Sequence, residues 1–84
     1  MINILYFARI RESLGLEKEQ VPLPRASASV SDLTAYLAST RGEIWRQVLG
    51  QANLLVSVNQ ILVNFDHQLQ DGDEVAFFPP VSGG

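Results

Sequence analysis

The stretch Asp71 to Gly84 reads DGDEVAFFPPVSGG, and the group it best prepares for chemistry is a main-chain one, the carboxylate of Gly84. Pro79-Pro80 stiffen the base of this segment, and Gly83-Gly84 leave its tip without side chains. Fully extended, Pro79 to Gly84 reaches roughly 20 Å. Such a shape can enter a narrow channel and deliver an α-carboxylate inside it. A frayed terminus is the plainer alternative. It does not explain aromatic anchors, a Pro-Pro stiffener and a bare tip occurring together.

The side chains offer less. There is no cysteine, which removes disulfides, thiolate metal sites and thiol nucleophiles together. His67, the single histidine, follows Asp66 and could be half of a catalytic pair, but no nucleophile is arranged around it. A loop histidine packed on a strand end is expected, and one His without Cys assembles no metal set. Asp71-Gly72-Asp73 spells a turn, since glycine supplies positive φ and aspartate bonds nearby backbone. A calcium loop would need more oxygen ligands at regular spacing, and no glycine-rich phosphate loop is present.

Eighty-four residues, 46% apolar and 18% charged, suit one globular domain. Net charge is −3 and the basic residues are scattered. Nucleic-acid binding, which needs a basic stripe to neutralise phosphates, is therefore not expected. Acidic balance favours basic patches on partner proteins. The apolar opening Met1 to Phe7 precedes its arginines and no run approaches a membrane span, so a cytoplasmic protein with no membrane partner is expected.

The elements that must hold the tail follow from periodicity. Ile2, Ile4, Tyr6 and Ala8 alternate with Asn3, Leu5, Phe7 and Arg9 as in a strand. Arg11 to Gly15 predicts a helical turn, Glu17 to Val21 a second strand, and Pro22 to Ser29 a connection. Ser29 and Asp32 resemble a capping box opening the main helix, which runs to about Thr40 with Leu33, Tyr36 and Leu37 on its apolar face. After Gly42, residues Glu43 to Leu49 predict a short helix burying Ile44, Trp45 and Val48. Leu54 to Val58, a turn at Asn59-Gln60, and Ile61 to Val63 form a hairpin. Glu74 to Phe78 is the last strand, ended by the prolines. A mixed sheet around one main helix, with first and last strands parallel, satisfies this order: an α+β, β-grasp fold. The expected division is a β-grasp domain over residues 1–78 and an extended, flexible C-terminal tail over residues 79–84.

Alternation also predicts a partner surface. With Ile2, Ile4, Tyr6, Val75 and Phe77 inward, Leu5, Phe7, Ala76 and Phe78 face away from the helix. A two-residue turn pairs Val58 with Ile61, which sends Leu62 to the same outer side. A contiguous patch of Phe7, Leu62 and Phe78 suggests a docking surface.

These residues resemble the small, sulfur-carrying subunits of molybdopterin synthase, within the ubiquitin-like β-grasp sulfur-carrier superfamily. The resemblance runs through ILYFARIRE, VNQILV and FDHQLQDGDEVAFFPPVSGG, ending at Gly-Gly. It implies that an ATP-consuming adenylyltransferase, related to ubiquitin-activating enzymes, adenylates Gly84. A sulfur donor protein then displaces AMP to leave a thiocarboxylate. The large synthase subunit, in a heterotetramer, would use it to build the dithiolene of molybdopterin on cyclic pyranopterin monophosphate. It further implies that Phe7, Leu62, Phe78, Pro79, Pro80, Val81 and Ser82 contact partners, with Gly83 and Gly84 as the reacting tail. No bound cofactor, no metal and no catalytic side chain are expected in this chain. Ser82 stands where threonine is equally expected, a conservative departure. A carrier for thiamine or tRNA thiolation, a ubiquitin-like protein modifier, and a plain binding module remain alternatives.

Overall fold

The computed structural model describes residues 1–80. Strand β1 (Ile2–Tyr6) leads into helix α1 (Ala8–Leu14), then strands β2 (Lys18–Val21) and β3 (Ala28–Ser29). Helices α2 (Val30–Arg41) and α3 (Glu43–Leu49) follow, then strands β4 (Leu55–Val58), β5 (Ile61–Leu62), β6 (Gln68–Leu69) and β7 (Glu74–Phe78). Five strands form one sheet in the order β2-β1-β7-β4-β5. Neighbours in it run antiparallel except β1 and β7, which run parallel from Asn3 opposite Glu74 to Tyr6 opposite Phe77. This is the expected β-grasp.

One sheet face carries Ile2, Ile4, Tyr6, Val56, Val75 and Phe77, and α2 covers it with Val30, Leu33 and Leu37. Tyr6 is the hinge of this core. Its ring stacks on Phe77 at 6.0 Å and meets Trp45 edge-on at 5.6 Å, geometries that aromatic quadrupoles favour.

The start of α2 is built from its own sequence. The Ser29 hydroxyl accepts from Asp32 N–H at 3.1 Å, while the Asp32 carboxylate accepts from Ser29 N–H at 2.9 Å. These satisfy two groups that a helix end otherwise leaves open. At the other end Gly42 adopts φ 100°, a conformation that favours glycine, and separates α2 from α3. The Asn59-Gln60 turn has φ 51° and 70°, the pair of positive values that joins twisted strands tightly.

Four expectations change. Ala28–Ser29, read as the end of a connection, pair with Gln68–Leu69 as a separate two-stranded ladder. Just before its second strand, the carbonyls of His67 and Phe65 accept the N–H groups of Val30 and Ser31 at 3.0 and 2.7 Å. Ala8 starts α1 instead of continuing β1. Ile44, expected in the core, is 60% exposed, and Tyr36 is also exposed, because α3 packs through Val48, Leu49 and Trp45 while α2 packs through Leu33 and Leu37.

Candidate functional site

Phe7 directly follows the first strand with its backbone held at both sides. Its N–H donates to the Phe77 carbonyl at 3.1 Å, and its own carbonyl accepts from Ile10 and Arg11 at 3.0 and 3.3 Å. The chain then turns away through Ala8, whose φ of 52° is left-handed and strained for a residue with a Cβ. Phe7 is thereby left at the rim of the outer sheet face, 44% exposed. Its ring meets that of Phe78 edge-to-face, with centroids 6.4 Å apart at 75°.

Leu62 lies on the same face, 64% exposed, across the β4-β5 hairpin. Register places Leu5, Ala76, Ser57 and Leu62 in one row across adjacent strands β1, β7, β4 and β5. The next row, toward the base of the tail, holds Phe78 opposite Leu55, beside Phe7. The predicted trio is therefore brought onto one face, with Leu5 and Leu55 added to it. Leu55 was missed because an unbroken apolar run, LLV, does not reveal which residue faces outward; only pairing with Phe78 decides it.

Pro79 and Pro80 leave the sheet beside a groove of about 390 Å³ whose other lining residues include Arg9, Ser13, Gln51 and Asn53. Val81, Ser82, Gly83 and Gly84 lie outside the described residues. The side chain of His67 is exposed, and among the described residues no three His, Cys, Asp or Glu side chains stand close enough to hold a metal. No helix among them is long and apolar enough to cross a membrane.

Behind Phe7, on the inner face, a polar cluster steadies the end of β1. The Tyr6 hydroxyl donates to Glu19 at 2.7 Å, and Arg41 from α2 grips both Glu19 oxygens at 2.6 and 2.8 Å. The Arg41 guanidinium also lies 4.5 Å over the Trp45 ring. Burial, then the hydrogen bond to Glu19, pushes the Tyr6 hydroxyl pKa far above its ordinary value. Burial works against the Glu19 charge, yet Arg41 and Tyr6 together hold its carboxyl below the usual range. The arrangement is that of a rigid support: it holds the backbone from which Phe7 projects and offers no exposed acid or base.

What the geometry can do is bind. The described residues present an apolar face of Phe7, Leu62 and Phe78, a stiff proline pair at its edge, and no assembled catalytic group. The molybdopterin synthase sulfur carrier subunit of Escherichia coli (strain K12) is 45% identical over 84 residues, covering 100% of both chains. That of Haemophilus influenzae is 39% identical, again over 100% of both. Among solved structures, a complex of subunits 1 and 2 of molybdopterin-converting factor from Helicobacter pylori 26695 contains a chain that superposes with a TM-score of 0.66 at 26% identity, covering 99% of this chain and 97% of that one. Residues 4–84 match the ThiS family. On that match and those whole-length identities, this chain belongs to the ThiS family of ubiquitin-like sulfur carriers.

Proposed function

We propose that this chain is the sulfur carrier subunit of a molybdopterin synthase. The observation that carries the reading is the 45% identity along the whole of a molybdopterin synthase sulfur carrier subunit. The outer face supports it: Phe7, Leu62 and Phe78 give a partner an apolar surface next to the point where Pro79 and Pro80 launch the tail.

The carboxylate of Gly84 is a poor electrophile. An adenylyltransferase of the ubiquitin-activating type would spend ATP to convert it into an acyl-adenylate, releasing pyrophosphate. A sulfur donor protein would then displace AMP and leave a thiocarboxylate. Glycine suits both steps, since no side chain crowds the carbonyl. The large subunit would receive Val81 to Gly84 in its active site and use the sulfur to build the dithiolene of molybdopterin. The acid, base and electrophilic groups belong to the partners, and this chain contributes surface, reach and a reactive end. The assembly is a heterotetramer of two small and two large subunits, working in the cytoplasm.

Intact mass, after incubation with ATP, the activating enzyme and a sulfur source, tests the reading. A gain corresponding to one oxygen exchanged for sulfur, mapped to Gly84, is expected. Extension by one residue beyond Gly84 abolishes it while the domain stays folded. A plain carboxylate under all these conditions overturns the carrier reading. Isopeptide-linked products at lysines of other proteins would instead identify a protein modifier.

A further inference from the structure

The groove of about 390 Å³ beside Pro79 and Pro80 is lined by two further parts of the chain. Helix α1 supplies Arg9, Ile10 and Ser13, and the loop after α3 supplies Gln51 and Asn53. Ile10, which is buried, and the two prolines make part of the lining apolar. Arg9, Ser13, Gln51 and Asn53 are polar and exposed. One is a cation and the others carry hydroxyl or amide hydrogens. No carboxylate lines the groove, in a chain with nine acidic residues against six basic ones. Elsewhere such side chains pair with one another: Gln20 with Asn3 at 2.7 Å, Asn59 with Asp73 at 3.0 Å, Arg25 with Asp32 at 2.9 Å. Among the described residues, the four in the groove make no side-chain hydrogen bond, and Arg9 makes no ion pair. The groove is a set of unused donors at the point where the tail departs.

We infer that this groove receives an acidic side chain of the synthase large subunit, its carboxylate on Arg9 and its methylene stem against Ile10 and the prolines. The inference rests on the reading of this chain as the small subunit of a molybdopterin synthase, and names what the partner must present beside the tail base. Phe7 lies two residues before Arg9 and Phe78 directly before Pro79, so the groove and the apolar face share the tail base as a boundary. Apolar burial is non-directional and would let a partner turn on that face. An ion pair at the boundary removes the freedom, because charge complementarity fixes register. The guanidinium fork meets a carboxylate in one plane, and the groove amides can hold what the fork leaves open. Held on both sides, Pro79 and Pro80 would aim the tail in one direction.

The test measures affinity for the purified large subunit from the same organism by titration calorimetry, at sodium chloride from about 0.05 to about 0.5 M. Arg9→Gln is expected to weaken binding by about 10-fold at low salt, and Arg9→Glu by about 100-fold. The Arg9→Gln complex should also lose less affinity as salt rises. Arg9 is exposed and bonds to nothing among the described residues, so thermal unfolding stays unchanged in both variants. Arg46→Gln removes the same charge from α3, away from the tail base, and is expected to bind like the unsubstituted chain. If it weakens binding as much as Arg9→Gln, the effect is one of net charge and the groove is overturned. If Phe7→Ala weakens binding while both Arg9 variants bind normally, the groove is overturned and the docking face stands. If neither Phe7→Ala nor the Arg9 variants change affinity, the docking face fails as well. Lysine at one acidic position of the large subunit is expected to restore binding of Arg9→Glu. Failure at every acidic position overturns the pairing.

Discussion

Phe7 and Phe78 meet edge-to-face at 6.4 Å, although they stand at opposite ends of the sequence. The parallel pairing of β1 with β7 makes them neighbours, and it puts the pair where the tail departs. Replacing either by alanine is expected to lower affinity for the large subunit by about 10- to 100-fold. Because Phe7 is exposed and neither ring belongs to the core, the unfolding transition remains cooperative. An unfolded Phe78→Ala chain would show that the ring bears on the fold after all.

Acid should loosen this fold in a defined window. The folded chain holds Glu19 and Asp32 below their ordinary values of 4.5 and 3.8, so unfolding takes up protons as the pH falls. Stability is full above about pH 4.5 and declines below it. Glu19→Gln is expected to cost about 1–3 kcal/mol near neutral pH, by leaving Arg41 half-buried without its carboxylate. It also makes the acid decline shallower. Urea unfolding from pH 3 to pH 7 reads both effects.

Ala8→Gly should stabilise the protein, or at least leave it unchanged, where most glycine substitutions in helices destabilise. The φ of 52° at Ala8 carries about 1–2 kcal/mol of left-handed strain that glycine does not feel. Glycine's greater unfolded-state freedom offsets about 0.5–1 kcal/mol of that gain. Ala8→Val, with a branched Cβ in the same conformation, is expected to lower the midpoint of urea unfolding.

Ser29→Ala removes the acceptor for Asp32 N–H and should destabilise the protein by about 1 kcal/mol. The carbonyls of His67 and Phe65 continue to hold the N–H groups of Val30 and Ser31, so α2 frays without melting. Hydrogen exchange would accelerate at Asp32 and its neighbours, with the middle of α2 little affected.

Local physics made much of this chain legible in advance. Strict alternation at Ile2, Ile4 and Tyr6 announces a strand and its inner face, Ser29 with Asp32 announces a helix start, and Gly42 its end. The absence of cysteine and the lone histidine bound the side-chain chemistry without any coordinates. These signals are legible because each depends on residues a few positions apart. What depends on distant partners was not. The ladder of Ala28–Ser29 with Gln68–Leu69 carries no periodicity in either short piece, and forms only because the fold brings these two distant segments together. Ile44 looks like a core residue in sequence and is exposed because α3 turns Val48 and Leu49 inward. Leu55 joins the outer face through its pairing with Phe78. The row of Leu5, Ala76, Ser57 and Leu62 on the outer face is likewise invisible in one dimension. Its members come from four strands, and only the sheet order decides that two small residues stand side by side between two leucines.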